Sequence, residues 1–171
     1  MRHVISVLMA NEAGALVRVA GMFSQRGFNI ETLNVGPTED PKVSRLTLVT
    51  EGTEHIVEQI NRQLLKLVDV IDVLDMTGDE HVERELALIK VRHDNGPEAV
   101  RAMAKKYDVS SISEHDAIET LQFVGTGDAL NAFVVALENA GVLVELARSG
   151  AVTLTPGDTG LSYDETADEL S

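Results

Sequence analysis

Asn11, Gly14 and Asn29 are the residues of this chain whose types and spacing best suit ligand chemistry. The segment Asn11-Glu12-Ala13-Gly14-Ala15-Leu16 follows an alternating apolar run and opens an amphipathic helix. A glycine therefore falls where a strand hands over to exposed helix N–H groups. Those donors, with the partial positive charge of the helix start, suit a carboxylate. Gly14 has no side chain to obstruct a ligand approaching the backbone. Asn29 follows Gly27-Phe28 where a second strand is expected to begin, and it could approach the Asn11–Gly14 loop of its own or another chain. Two Asn amides could hold both ends of an amino acid, because their carbonyls accept from an ammonium and their NH₂ groups donate to a carboxylate. A branched apolar side chain would then rest against Leu16, Ile30 and Val35. The plainer alternative is that Asn11 and Asn29 are turn or capping residues and Gly14 a backbone convenience.

Other chemistries find little support. There is no cysteine, which excludes disulfides, thiolate metal sites and a Cys nucleophile. The histidines His3, His55, His81, His93 and His115 are dispersed, with no HExxH or i, i+4 pairing among them, and read as surface residues. Gly125-Thr126-Gly127 resembles half of a dinucleotide loop, but Leu130 takes the place of the third glycine, so a strand-to-helix turn is the better reading. Ser149-Gly150 lacks a GxSxG context. The 28 acidic residues read mostly as solvated faces, with none a catalytic candidate. A net charge of −14 argues against nucleic acid, which demands clustered Lys and Arg; Lys105-Lys106 is the only adjacent basic pair. No run approaches the roughly 20 apolar residues of a membrane span, and the chain opens directly on a strand, so a cytoplasmic location is expected.

The elements that must position these residues follow from periodicity. His3–Met9 is β-branched and apolar on both faces, as a central strand should be. Leu16, Val19, Ala20 and Phe23 form the i, i+3, i+4, i+7 stripe of a helix over Gly14–Arg26, stopped by Gly27. Phe28–Val35 and Val43–Thr50 read as a hairpin around the proline-rich loop from Gly36 to Pro41. Ile56, Val57, Ile60 and Leu64 mark a second helix, and Val68–Met76 a fourth strand. The order is βαββαβ.

A second cycle follows the polar break at Thr77-Gly78-Asp79-Glu80. Glu85–Val91 is a strand; Asn95-Gly96-Pro97-Glu98 starts a helix striped by Val100, Met103, Ala104 and Tyr107; Val109–Ser113 and Ile118–Val124 are strands; Leu130, Phe133, Val134 and Leu137 stripe a fourth helix; Val142–Ala147 closes the cycle. The expected fold is α+β, two tandem ferredoxin-like domains at residues 1–78 and 79–156. Each sheet would carry two helices on one face, leaving its other face and edge strands for another copy or subunit. An acidic tail, 157–171, is expected to be mobile.

The string NEAGALVRVAGMFSQRGFNIETLNVGPTEDPKVSRLT resembles the N-terminal ACT domain of the small regulatory subunit of acetolactate synthase (acetohydroxyacid synthase). LLKLVDVIDV and HVERELALIKV continue the resemblance across the domain boundary, and VELARSGAVTLTPGD resembles the end of that family's second domain. The resemblance implies a non-catalytic subunit, dimeric through its ACT domains. It would activate a large, thiamine-diphosphate-dependent catalytic subunit and confer feedback inhibition by valine, sometimes also leucine or isoleucine. Thiamine diphosphate, Mg²⁺ and FAD would belong to that partner and none to this chain. The family's effector site lies between ACT domains of two small subunits. Asn11, Gly14 and Asn29 match its binding positions, with Ala15, Leu16 and Ile30 in the adjoining segments, while Asn34 and Gly36 stand where some relatives carry Thr and Ala. Arg148-Ser149-Gly150 falls at an interface position of the family or forms a structural turn. A stand-alone ACT-type sensor of another enzyme is the alternative, and an independent small enzyme a third class that lacks a catalytic constellation.

Overall fold

The computed structural model describes residues 1–78, 80–93, 98–158 and 160–162. Its first half runs β1 (Arg2–Ala10), α1 (Ala15–Gln25), β2 (Thr32–Pro37), β3 (Val43–Glu51), α2 (Glu54–Leu64) and β4 (Val70–Asp75). The second half repeats the order with β5 (Val82–Arg92), α3 (Glu98–Lys106), β6 (Ser110–His115), β7 (Ile118–Gly125), α4 (Gly127–Asn139) and β8 (Leu143–Leu154). Each half forms a four-stranded antiparallel sheet, ordered β2-β3-β1-β4 and β6-β7-β5-β8, so both are ferredoxin-like. By contacts the chain divides into Met1–Val82, joined by the described residues from Thr153 on, and Glu83–Val152.

In the first unit, Ile5, Val7 and Met9 of β1 and Leu46 and Leu48 of β3 pack beneath Ala15, Val19 and Phe23 of α1 and Val57, Ile60 and Leu64 of α2. In α1 the buried face is Ala15, Val19, Met22 and Phe23, so Val19 and Phe23 of the predicted stripe close the core while Leu16 stays exposed; in α2 Val57, Ile60 and Leu64 close it as their stripe predicts. The central strands also bury their opposite face: Val4, Ser6, Leu8, Thr47 and Val49 are all under 6 % exposed. That face is not left open at these positions, contrary to expectation, and β1 accordingly reads as apolar on both sides. In the second unit, β5 alternates strictly, with Ala87, Ile89 and Val91 inward and Leu86, Leu88 and Lys90 outward. Its core is completed by Leu121, Phe123, Leu130, Phe133 and Leu137.

Two strand boundaries depart from the sequence reading. β2 starts at Thr32, not Phe28, because Phe28 closes the end of α1: its amide donates to the Phe23 carbonyl at 3.0 Å and its ring packs edge-on at 6.2 Å. β8 does not stop at Ala147 but runs through Ser149-Gly150 to Leu154. Gly150 takes φ 78°, and Ser149 Oγ accepts from the Leu86 amide at 3.0 Å, so the irregular step stays tied to β5. The Asn95-Gly96-Pro97 cap lies outside the described residues, as do residues 159 and 163–171 of the acidic tail. Within that tail, the Ser162 amide donates to Asp72 Oδ2 at 3.3 Å.

Candidate functional site

The turn from β1 into α1 carries the group Asn11, Gly14, Ala15 and Leu16. Gly14 is the N-cap, with φ 93° and ψ −14°, a left-handed conformation that L side chains adopt only under strain. It makes no side-chain cap hydrogen bond, and α1 has no acidic residue in its first turn. The Ala15 amide turns back to the Glu12 carbonyl at 3.2 Å and the Arg18 amide to Gly14 at 3.0 Å. The amides of Leu16 and Val17 have no acceptor among the described residues. This is an exposed pair of donors at the positive end of a helix, chemically matched to a carboxylate.

Asn11 is held from both sides of its peptide. Its amide donates to the Lys42 carbonyl at 2.7 Å, and its Nδ2 donates to the Pro41 carbonyl at 2.9 Å. One of the two Nδ2 hydrogens is used in this way and Oδ1 accepts from no described residue, and that acceptor suits an ammonium. Leu16, in the first turn of α1, is 38 % exposed, whereas the Ala15 side chain is buried in the core, so Ala15 contributes backbone only.

Asn29 and Ile30 sit elsewhere. The Asn29 carbonyl accepts from Thr50 Oγ1 at 2.6 Å, and Thr50 pairs with His3 at the start of β1. Asn11 follows the far end of the same strand, where Ala10 pairs with Val43. Eight residues of β1 separate the two levels, roughly 26 Å at the usual strand rise. Within one chain, then, Asn29 does not reach the Gly14 turn. Of the two arrangements open from sequence, only the one between chains can join them around a small ligand.

Arg18 was not a sequence candidate, since it lies off the apolar stripe. Its guanidinium leans back over the first turn, where Nη1 stands 3.0 Å from the position a Gly14 Cβ would take. Nε and Nη2 grip both oxygens of Asp69, the latter at 2.7 Å. The Asp69 side chain is only 7 % exposed and its backbone carbonyl accepts from Ala10 at 2.8 Å. The hydrogen bond from Arg18 holds the Asp69 carboxyl below its usual pKa despite burial, and in return Asp69 raises the guanidinium pKa. The i+4 spacing from Gly14 is the signal that could have found this arginine.

Several other residues differ from expectation. His3 and His93 are not at the surface. His3 faces the core side of β1 at 1 % exposure, its ring nitrogens 3.2 Å from Thr77 Oγ1 and the Gly52 carbonyl. His93 is 6 % exposed, with Nε2 2.6 Å from Glu119 Oε2. Nor are all acids solvated: Glu83, Glu85 and Glu119 are buried along with Asp69, each beside a fixed partner. Glu83 accepts from the Gly127 amide at 2.8 Å, and Glu85 takes a two-pronged grip from Arg148 at 2.8 and 2.9 Å. Arg148-Ser149-Gly150 thus braces the second sheet. Gly125-Thr126-Gly127 is a strand-to-helix turn, Thr126 Oγ1 capping the Ala129 amide at 3.3 Å. A cleft of about 420 Å³ beside α3 mixes Arg101 and Lys105 with Glu114 and Glu119, a wall of both signs that selects no single ligand charge. Among the described residues no three His, Asp or Glu side chains converge as a metal-ligand set, and no helix is long and apolar enough to cross a membrane.

Comparison with known proteins matches two family models in tandem. Residues 5–72 match the AHAS small subunit-like ACT domain, and residues 84–157 match the small subunit of acetolactate synthase. The acetolactate synthase isozyme 3 small subunit of Salmonella typhimurium is 46% identical over 159 residues, covering 92% of this chain and 98% of that protein. The acetolactate synthase small subunit of Mycolicibacterium smegmatis is 42% identical over 165 residues, covering 93% and 94%. The crystal structure of the acetolactate synthase small subunit from Thermotoga maritima superposes with a TM-score of 0.81 at 32% identity, over 93% of this chain and 99% of that one.

Proposed function

The chain belongs to the acetolactate synthase small-subunit family, and from that premise we propose that it activates a large catalytic subunit and makes it sensitive to valine. The large subunit, with thiamine diphosphate, Mg²⁺ and FAD, would condense two pyruvates to 2-acetolactate, or pyruvate with 2-oxobutyrate, in the cytoplasm. This chain would add no reacting group. It would add a binding site whose occupancy changes how the dimer engages its partner.

The observation that carries this reading is the start of α1, with an uncapped left-handed glycine, two free amides and no acid in the first turn. Valine's carboxylate would lie against the Leu16 and Val17 amides, its ammonium would meet Asn11 Oδ1, and its side chain would rest on Leu16. Asn29 and Ile30 would come from a second copy. The edge position of β2 supports this, because β2 runs from the Asn29 end of the sheet toward the Asn11 end. Antiparallel pairing of two such edges brings the Asn29 end of one chain toward the Asn11 end of the other. The domains at 1–78 and 79–156 then divide the work, the first binding the effector.

Inhibition requires valine to bind the less active arrangement more tightly, and a tenfold preference corresponds to about 1.4 kcal/mol of coupling. Reconstitution tests the proposal. Adding the chain to a purified acetolactate synthase large subunit should raise its turnover, and valine should reverse the gain. Unchanged turnover would remove the regulatory role; activation that valine leaves untouched would remove the sensing role.

A further inference from the structure

We infer that Arg18 reads the effector's carboxylate, an assignment that rests on the effector site proposed above and adds to it the residue that recognises the ligand's charge. A cation at a helix N-terminus runs against the macrodipole, which favours carboxylates there. The other three helices obey that preference, with Glu54, Glu98 and Asp128 in their first turns. Among the described helices α1 alone lacks a first-turn acid, and its opening turn instead carries a guanidinium paired to Asp69.

The guanidinium is aimed as well as present. Asp69, buried and tied by its backbone to the end of β1, engages Nε and Nη2. That two-pronged grip fixes the plane of the fork and turns the remaining nitrogen, Nη1, toward Gly14. Nη1 has no hydrogen-bond partner among the described residues. The other charge facing Arg18 is Glu12, whose field favours the guanidinium and whose side chain is exposed in the same turn. A carboxylate set on the Leu16 and Val17 amides would meet Nη1 as a third donor, already oriented before binding. The Arg18–Asp69 pair is neutral as a unit, and what the turn offers a ligand anion is three oriented donors, the Leu16 and Val17 amides and Nη1.

A purely structural role, fastening α1 to the turn before β4, predicts something different, and valinamide separates the two. It keeps valine's ammonium and side chain but has no carboxylate. Calorimetric titration of the full-length wild-type chain should show valine binding at least about tenfold more tightly than valinamide, the size of one charge-assisted hydrogen bond. In Arg18→Gln, valine affinity should fall by a similar factor while valinamide affinity holds, so the ratio between them collapses. Arg18→Lys, which keeps the charge and a bond to Asp69, should retain part of the ratio and covers the case in which Arg18→Gln does not fold. Equal wild-type affinities for the two ligands, or a ratio unmoved in the folded variants, would overturn the assignment to Arg18 and leave the site standing. No binding of either ligand to the wild type would overturn the site itself, and Arg18's role with it.

Discussion

The two units share one topology, yet the turn into α1 of the first and the turn into α4 of the second are built in opposite ways. In the second unit the turn into α4 is closed from within: Thr126 caps the Ala129 amide and the buried Glu83 accepts from Gly127. In the first unit the turn into α1 is left open, with a glycine at the cap and a guanidinium alongside. Even within the first unit, α2 begins with Thr53 accepting from the Ile56 amide, as an ordinary helix does. The difference teaches that one scaffold can build its helix starts either way: those of α2 and α4 are capped by their own threonines, and that of α1 leaves the Leu16 and Val17 amides without an acceptor among the described residues.

The largest expected effect on this contrast comes from closing the open turn. Gly14→Asp places a carboxylate next to Arg18 and in the ligand's position, so it should weaken valine inhibition by more than about tenfold while activation of the large subunit persists. Gly14→Ala is the control for backbone strain, which at φ 93° costs about 1–2 kcal/mol for any L residue. Inhibition assays beside thermal melts separate the two; equal losses of inhibition would assign the effect to backbone strain and the crowding of Arg18 Nη1 by any Cβ, and not to the added carboxylate.

Next in size is the division of the site between chains. Asn11→Ala and Asn29→Ala dimers should each lose valine inhibition, and a mixture refolded together should recover part of it. Mixed dimers hold one site with both asparagines and one with neither. Failure of the mixture to exceed both parents would break the two-chain arrangement.

Smaller effects are expected at the closed turns. Thr126→Ala and Thr53→Ala should each lower stability by about 1 kcal/mol in denaturant titration without altering valine response. A changed response would mean that the capped starts also serve the effector. The smallest effect is in the acid response of the link between Arg18 and Asp69. Because Arg18 depresses the Asp69 pKa, the stabilisation from this pair is complete above the ordinary carboxyl value of 3.8 and is lost as pH falls through the lower folded value. Wild type and Asp69→Asn should therefore differ at neutral pH and converge in acid below about pH 4, as followed by chemical denaturation.

Much of this was legible in the chain. The stripe through Val57, Ile60 and Leu64 is the buried face of α2, that of α1 was right at Val19 and Phe23 but not at the exposed Leu16, and the apolar character of His3–Met9 on both sides matched a strand buried on both. The Gly14 turn was visible because a glycine between a strand and a helix leaves a local signature. Arg18 and Asp69 were not, because their meeting spans 51 residues and depends on how the end of β4's turn approaches α1. His93 and Glu119 escaped for the same reason: neither element alone records that β7 carries a carboxylate to the end of β5. The two asparagines were readable as residue types, but their separation along β1 emerged only from strand register.

The central claim, that the open turn of α1 binds a branched amino acid, is tested most directly by calorimetric titration of the purified chain with valine, with an unbranched amino acid as comparison. Saturable binding of one valine per chain, preferred over the unbranched ligand and lost in Gly14→Asp, is the predicted result. No saturable heat with valine, or binding that Gly14→Asp leaves unchanged, would contradict it.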